Sequence, residues 1–99
     1  MNRAQRWIRL KIDLLAIRGS TCECCRMRQA TQLHHCLFGR AKRYPELDCA
    51  ENVQLVCVEC HMSGKADSKE NKERFRQRQI ERGYDLDAWI ERLPLNVKH

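Results

Sequence analysis

Two pairs of cysteines constrain the fold of this chain more than any other feature of its sequence. Each pair has the spacing Cys-x-x-Cys: Cys22 with Cys25, and Cys57 with Cys60. Four thiolates from two such turns satisfy the tetrahedral coordination of Zn²⁺ and tie together two distant segments. We therefore predict a structural zinc site built from these four residues, with Cys24 as a rival for one place in the first pair.

The length of the chain agrees with such a site. With 99 residues, it lies near the small end of what an apolar core stabilises alone. Zinc binding would therefore add to the free energy of folding. Two other cysteines, Cys36 and Cys49, have no partner at metal-binding spacing, and we expect them to be buried or incidental.

The N-terminal residues oppose the interpretation of the cysteines as disulfides of a secreted protein. The opening MNRAQRWIRLK lacks the apolar run of a signal peptide, and IDLLAI is too short to span a bilayer. We therefore predict a cytoplasmic protein with reduced thiols and no membrane partner.

Apolar periodicity predicts helices at both ends of the chain. Apolar residues recur at intervals of three and four over residues 3–18, which indicates an amphipathic helix. A strongly charged helix is predicted over residues 68–82, and a short helix with one apolar stripe over 86–93. We expect Trp7 and Trp89 to pack in the interior, and the N-terminal stripe to pack on the C-terminal helices or on a second copy of the chain.

The centre of the chain predicts two short strands, over residues 32–36 and 53–57. The connection between them, residues 37–52, is long for so small a domain, and connections of that length are usually functional or flexible. We predict one domain over residues 1–99, with its core at about 20–67.

The adjacent histidines His34 and His35 lie near the end of the first predicted strand. Side chains alternate between the two faces of a strand, so both histidines cannot bind one metal ion without local bending. We therefore expect them to have different roles. Asn52 and His61 are two further polar residues near the predicted strand ends that the zinc site does not need.

Four features follow one another along the chain: the first Cys-x-x-Cys pair, the triplet LHH, the loop and the segment ENVQLVCVECH. In this order they resemble the HNH nucleases of the His-Me finger group. The resemblance covers about residues 22–65. It implies a small α+β fold with a ββα-metal core, in which a hairpin followed by a helix is embedded between two zinc knuckles. The N-terminal amphipathic helix and the C-terminal helices would flank this core.

The resemblance implies a role for each of the four polar residues. His34 would bind the catalytic metal ion, with His61 as a second ligand. His35 would be the general base, and Asn52 would brace the loop and help to orient the base. Some family members carry a third histidine ligand at the position of Lys65, and a protonated lysine does not coordinate a cation.

The function implied by the resemblance is metal-dependent hydrolysis of DNA phosphodiester bonds. A neutral imidazole can take a proton from the attacking water, and a divalent cation such as Mg²⁺, Mn²⁺ or Ni²⁺ can offset charge on the phosphate oxygens. The products would carry 5′-phosphate and 3′-hydroxyl ends. A monomer would nick one strand, whereas a homodimer could cut both. Small members of the family occur in phages, mobile elements and restriction systems.

The net charge of +6 agrees with a polyanionic partner. We expect double-stranded DNA, with RNA and branched or single-stranded DNA as alternatives. The candidate phosphate contacts are basic residues of the long connection and of the segment after the second knuckle: Arg40, Lys42, Arg43, Lys65 and Lys69.

A non-catalytic zinc ribbon that binds nucleic acid or a protein is the alternative. In such a module the histidines would be structural residues or alternate zinc ligands. The order of His35 and Asn52 favours the nuclease, because a binding ribbon has no evident need for it.

Overall fold

The structure is a computed structural model that describes residues 1–39 and 42–98. Within these ranges the chain forms five α-helices and two strands, which confirms the predicted α+β class. In chain order the elements are α1 (Arg3–Arg18), β1 (Gln32–His35), β2 (Val53–Val56), α2 (Val58–Met62), α3 (Lys69–Glu81), α4 (Leu86–Arg92) and α5 (Leu95–Lys98), with 3-10 turns at Pro45–Leu47 and Lys65–Asp67.

Helix α1 begins with a capping box and packs on the hairpin. The Asn2 side chain accepts the backbone N–H of Gln5 at 2.8 Å, and the Gln5 side chain accepts the backbone N–H of Asn2 at 2.9 Å. The buried Leu14 of α1 joins a cluster with Leu33 of β1 and Leu55 of β2. The main partner of α1 is thus the sheet, whereas the sequence suggested the C-terminal helices or a second copy.

Strands β1 and β2 pair antiparallel, with His34 opposite Gln54 and His35 opposite Val53. The side chain of His34 is 9 % exposed, whereas that of His35 is 24 % exposed and has different neighbours. The two histidines lie on opposite faces of the strand, as the alternation of side chains predicts. Helix α2 follows β2 directly, and Cys57 is its N-cap.

Helices α3 and α4 each begin at a polar cap. Ser68 and Asp85 accept a backbone N–H with a side-chain oxygen, at 3.1 and 3.0 Å. Trp89 of α4 packs as predicted in an apolar cluster with Leu47. Helix α5 was not predicted. Pro94 directly precedes it, and a proline is compatible with the start of a helix.

A buried ion-pair network joins the first cysteine pair to α1 and α3. Glu23 lies within that pair and forms ion pairs with Arg18 and Arg82. Its Oε2 atom also accepts the backbone N–H of Leu55 in β2 at 2.6 Å. Because the side chain of Glu23 is 4 % exposed, its charge needs these partners to offset the cost of burial.

No helix in the described part of the chain combines the length and the apolar character needed to cross a membrane.

Candidate metal centre and histidine sites

The four predicted cysteines converge on one point. The Sγ atoms of Cys22, Cys25, Cys57 and Cys60 all lie within 4.8 Å of one another, and those of Cys25 and Cys57 are 3.9 Å apart. Tetrahedral coordination at a Zn–S distance of about 2.3 Å places sulfur atoms about 3.8 Å apart. The arrangement therefore fits a zinc ion, and the predicted ligand set is confirmed as a group that could hold one.

Each cysteine pair has the same local structure. The backbone N–H of Cys25 donates to Sγ of Cys22 at 3.4 Å, and that of Cys60 donates to Sγ of Cys57 at 3.4 Å. Arg26 follows the first pair with φ of 63°, a left-handed conformation that completes a tight turn. Two matched turns thus present four sulfur atoms to one centre.

The backbone around the first pair favours a thiolate. Hydrogen bonds from the backbone N–H groups of Arg28 and Met27 lower the pKa of Cys25 to about 6. Burial instead raises the pKa of Cys57 and of Cys60. A zinc ion would replace the protons of these buried thiols, because cysteine binds metal as the thiolate.

The other cysteines lie outside this group. Cys24 is buried in the same apolar cluster, but the four converging sulfur atoms do not include its own. Burial raises the pKa of Cys36 and of Cys49 to about 12. Both are thus neutral, packed thiols, in agreement with the prediction.

His34 faces a carboxylate and a second histidine. Its Nε2 atom lies 3.1 Å from Oδ1 of Asp67, and its ring is 5.5 Å from that of His61 at an interplanar angle of 76°. The ring does not direct Nε2 at the oxygen as a hydrogen bond requires, so Nε2 is buried without a hydrogen-bond partner. Burial lowers the pKa of His34 against the opposing charge of Asp67, which favours the neutral imidazole that a metal needs.

His35 lies on the other face of β1 among residues of α1 and the long connection. Its Nε2 atom is 2.9 Å from Oδ1 of Asp48, and its ring stacks on Trp7 with centroids 4.7 Å apart. Asp48 also pairs with Arg3 at 2.6 Å. Burial would raise the pKa of Asp48, but hydrogen bonds from Arg3 and His35 outweigh it and lower the pKa.

A surface cleft opens beside His35. Its volume is about 680 Å³, and its lining includes Arg3, Trp7, Lys42 and Asp48. Trp7 was predicted as a packing residue, and it does pack against the apolar cluster of Leu14. One face of its ring also stacks on the ring of His35. The cleft therefore combines an imidazole, an aromatic ring and basic side chains.

Asn52 is fully buried and holds the start and the end of the long connection together. Its Oδ1 accepts the backbone N–H groups of Leu37 and Phe38 at 3.0 and 2.8 Å. Its Nδ2 donates to the backbone oxygens of Phe38 and Leu47, both at 3.0 Å. Every hydrogen-bonding position of the amide is used within the protein, so Asn52 fixes the loop that carries Asp48.

The predicted phosphate contacts occupy two surface regions. Lys42 lines the cleft beside His35, and Arg43 next to it is exposed. Lys65 is exposed in the turn that also carries Asp67, and Lys69 is exposed at the start of α3. Arg40 lies outside the described residues.

Sequence reasoning missed three residues that contact the histidines: Trp7, Asp48 and Asp67. For Asp67 the only signal is its place in the sequence, six residues after His61 in the turn that follows α2. For Asp48 there is none, because the fold of the long connection decides what meets His35. Trp7 belongs to α1, and the packing of α1 on the hairpin was not among the expected arrangements.

The described residues form no second group of this kind. A group here means three or more His, Cys, Asp or Glu side chains whose ligand atoms lie within 4.8 Å of one another. His34, His61 and Asp67 are a looser arrangement on the opposite side of β1 from His35. No family model, curated protein or solved structure matches the chain.

Proposed function

We propose that the chain is a metal-dependent endonuclease that hydrolyses DNA phosphodiester bonds, with a ββα-metal core formed by β1, β2 and α2. The main support for this proposal is that the two adjacent histidines lie on opposite faces of β1. His34 meets His61 on one face of β1, whereas His35 meets Asp48 beside an open cleft on the other. One residue is thus available for a metal ion and its neighbour for a proton.

His35 acts as the general base through Nδ1. Asp48 accepts a hydrogen bond from Nε2, which places the ring proton on that atom and leaves a lone pair on Nδ1. Stacking on Trp7 restricts rotation of the ring. A water molecule in the cleft can then lose its proton to Nδ1 as it attacks phosphorus.

His34 and His61 hold the divalent cation in this proposal. Both nitrogen donors suit a first-row divalent metal. The Nε2 atom of His34 is buried without a hydrogen-bond partner, 3.1 Å from Oδ1 of Asp67, and its ring lies beside that of His61. When bound, the cation offsets negative charge on a non-bridging oxygen and on the leaving 3′ oxygen.

Basic residues bind the DNA backbone on either side of the reacting phosphate. Lys42 lines the cleft of the base, and Lys65 extends from the turn beside the proposed metal ligands. Phosphate contacts of this kind give affinity that falls with salt and carries little sequence information.

The four-cysteine group supports the site from both ends. Its first pair precedes β1 and its second follows β2, so a bound zinc ion holds the two ends of the hairpin at a fixed distance. The same ion fixes the start of α2, which carries His61.

Nicking of supercoiled plasmid tests the proposal. Zinc-loaded protein is incubated with plasmid and Mg²⁺, Mn²⁺ or Ni²⁺, and His35→Ala is compared at equal zinc content. We expect nicking that requires the added cation and is lost in His35→Ala. Equal activity in the variant, or no nicking with any of the cations, would contradict the proposal and favour a non-catalytic zinc ribbon.

A further inference from the structure

Asp67 lies beside the buried ring of His34 without forming a hydrogen bond to it. Its Oδ1 atom is 3.1 Å from Nε2 of His34, yet the two atoms are not aligned for a hydrogen bond and Nε2 has no other partner. His34 is 8 % exposed, and a buried nitrogen without a partner is costly. Some further group is expected to meet it.

The separation of the two atoms is that of two ligands of one metal ion. Ligand atoms about 2.1 Å from an octahedral cation and at right angles to each other lie about 3.0 Å apart. In that geometry each lone pair points at the cation and away from the other ligand, which accounts for the poor hydrogen-bond alignment. Two imidazoles at right angles on such an ion have ring centres about 4.6 Å apart. The rings of His34 and His61 are 5.5 Å apart, so His61 has to turn toward His34 when the ion binds.

A chain of buried amides holds Asp67 beside His34. Gln54 lies opposite His34 in the hairpin and exchanges two hydrogen bonds with Asn71, at 2.7 and 3.2 Å. Asn71 in turn donates to the backbone oxygen of Ala66 at 2.8 Å. Since Ala66 precedes Asp67 and is fully buried, the turn that carries the carboxylate is fixed relative to the strand.

We propose that Asp67 is the third protein ligand of the divalent cation at His34 and His61. This inference rests on the proposed function for the two histidines and adds a carboxylate where Lys65 replaces the third histidine of similar sites. The side chains of His61 and Asp67 are exposed, so rotation about their own bonds can complete the coordination. The remaining positions of an octahedral ion are left for water and a phosphate oxygen.

The ligand set also selects the metal. Two imidazoles and one carboxylate suit Mn²⁺, Co²⁺ or Ni²⁺, whereas Mg²⁺ prefers oxygen ligands and retains its water. The site is therefore expected to bind Mn²⁺ more tightly than Mg²⁺.

Mn²⁺ binding to zinc-loaded protein without DNA tests this inference. Mn²⁺ is chosen because it competes poorly for four thiolates, and free Mn²⁺ is measured by electron paramagnetic resonance. The chain is compared with Asp67→Asn, with His34→Ala, and with Asp87→Asn. The last variant is a matched control that removes the same charge from an exposed carboxylate of α4.

We expect Asp67→Asn to raise the Kd for Mn²⁺ at least about tenfold, the lower limit for loss of groups that support a metal, while Asp87→Asn leaves it unchanged. If His34→Ala weakens Mn²⁺ binding and Asp67→Asn does not, the role of Asp67 is refuted and the proposed function stands. If His34→Ala also leaves binding unchanged, the proposed metal site itself is refuted.

Discussion

Replacement of Cys60 by serine provides a quantitative prediction about the zinc site, and Cys24 supplies its matched control. Both thiols are buried in the same apolar cluster, at 2 % and 4 % exposed. Only Cys60 belongs to the four converging sulfur atoms. The two substitutions therefore introduce the same hydroxyl into the same cluster and differ in whether a ligand is lost.

The expected effects differ greatly in size. Burial of a hydroxyl costs about 1–3 kcal/mol, which Cys24→Ser should lose from the free energy of unfolding. A structural zinc ion contributes about 10–16 kcal/mol in small domains, and a chain of this length has a net stability of about 5–15 kcal/mol. Cys60→Ser should therefore be largely unfolded at 25 °C.

Urea titration followed by circular dichroism, with zinc content measured on each sample, checks this prediction. Cys24→Ser should retain one zinc per chain and unfold cooperatively at a lower urea concentration. Excess chelator should unfold the unmodified chain in the same way as Cys60→Ser does. A cooperative transition of equal midpoint in both variants, or a chelated chain with unchanged dichroism, would show that zinc does not hold the fold together.

Three further predictions concern the base, the DNA contact and the buried ion network. Asp48→Asn should lower the rate of cleavage about 10- to 100-fold with little change in KM, because an amide no longer fixes the tautomer of His35. Nitrogen chemical shifts of the ring report the tautomer directly. An unchanged tautomer in the variant would contradict this role of Asp48. Lys42→Ala should weaken DNA binding similarly for all sequences and reduce the salt dependence of the affinity by about one phosphate contact. Fluorescence anisotropy at several salt concentrations measures this dependence. An unchanged slope of log affinity against log salt concentration would exclude the contact. Glu23→Ala should lower the free energy of unfolding by about 3–5 kcal/mol, because the charge of Arg18 then stays buried without the Glu23 carboxylate. A loss below about 1 kcal/mol in urea titration would contradict this cost of an unpaired buried charge.

Local rules account for much of the fold. The apolar periodicity of α1 and the caps at Ser68 and Asp85 are decided by neighbouring residues, so the sequence contains them. Cysteine spacing likewise predicts the four-thiol group, because tetrahedral zinc restricts which residues can meet. Strand alternation separates His34 from His35 for the same reason, since it depends only on adjacent positions.

Features that depend on tertiary packing could not be predicted. The partner of α1 is decided by which apolar surface the hairpin leaves open, and that choice brings Trp7 to His35. The irregular connection between the strands brings Asp48 to the same ring, with Asn52 as the buried residue that shapes it. No periodicity marks such contacts in the sequence.

The most direct test of the central claim is the single-turnover rate of cleavage of an end-labelled DNA duplex by zinc-loaded protein with saturating Mn²⁺. If His35 is the general base, His35→Ala should lower this rate about 10²- to 10⁴-fold while zinc content and Mn²⁺ affinity stay unchanged. A rate in His35→Ala within about threefold of that of the unmodified chain, well below the range for loss of a general base, would show that His35 is not the general base.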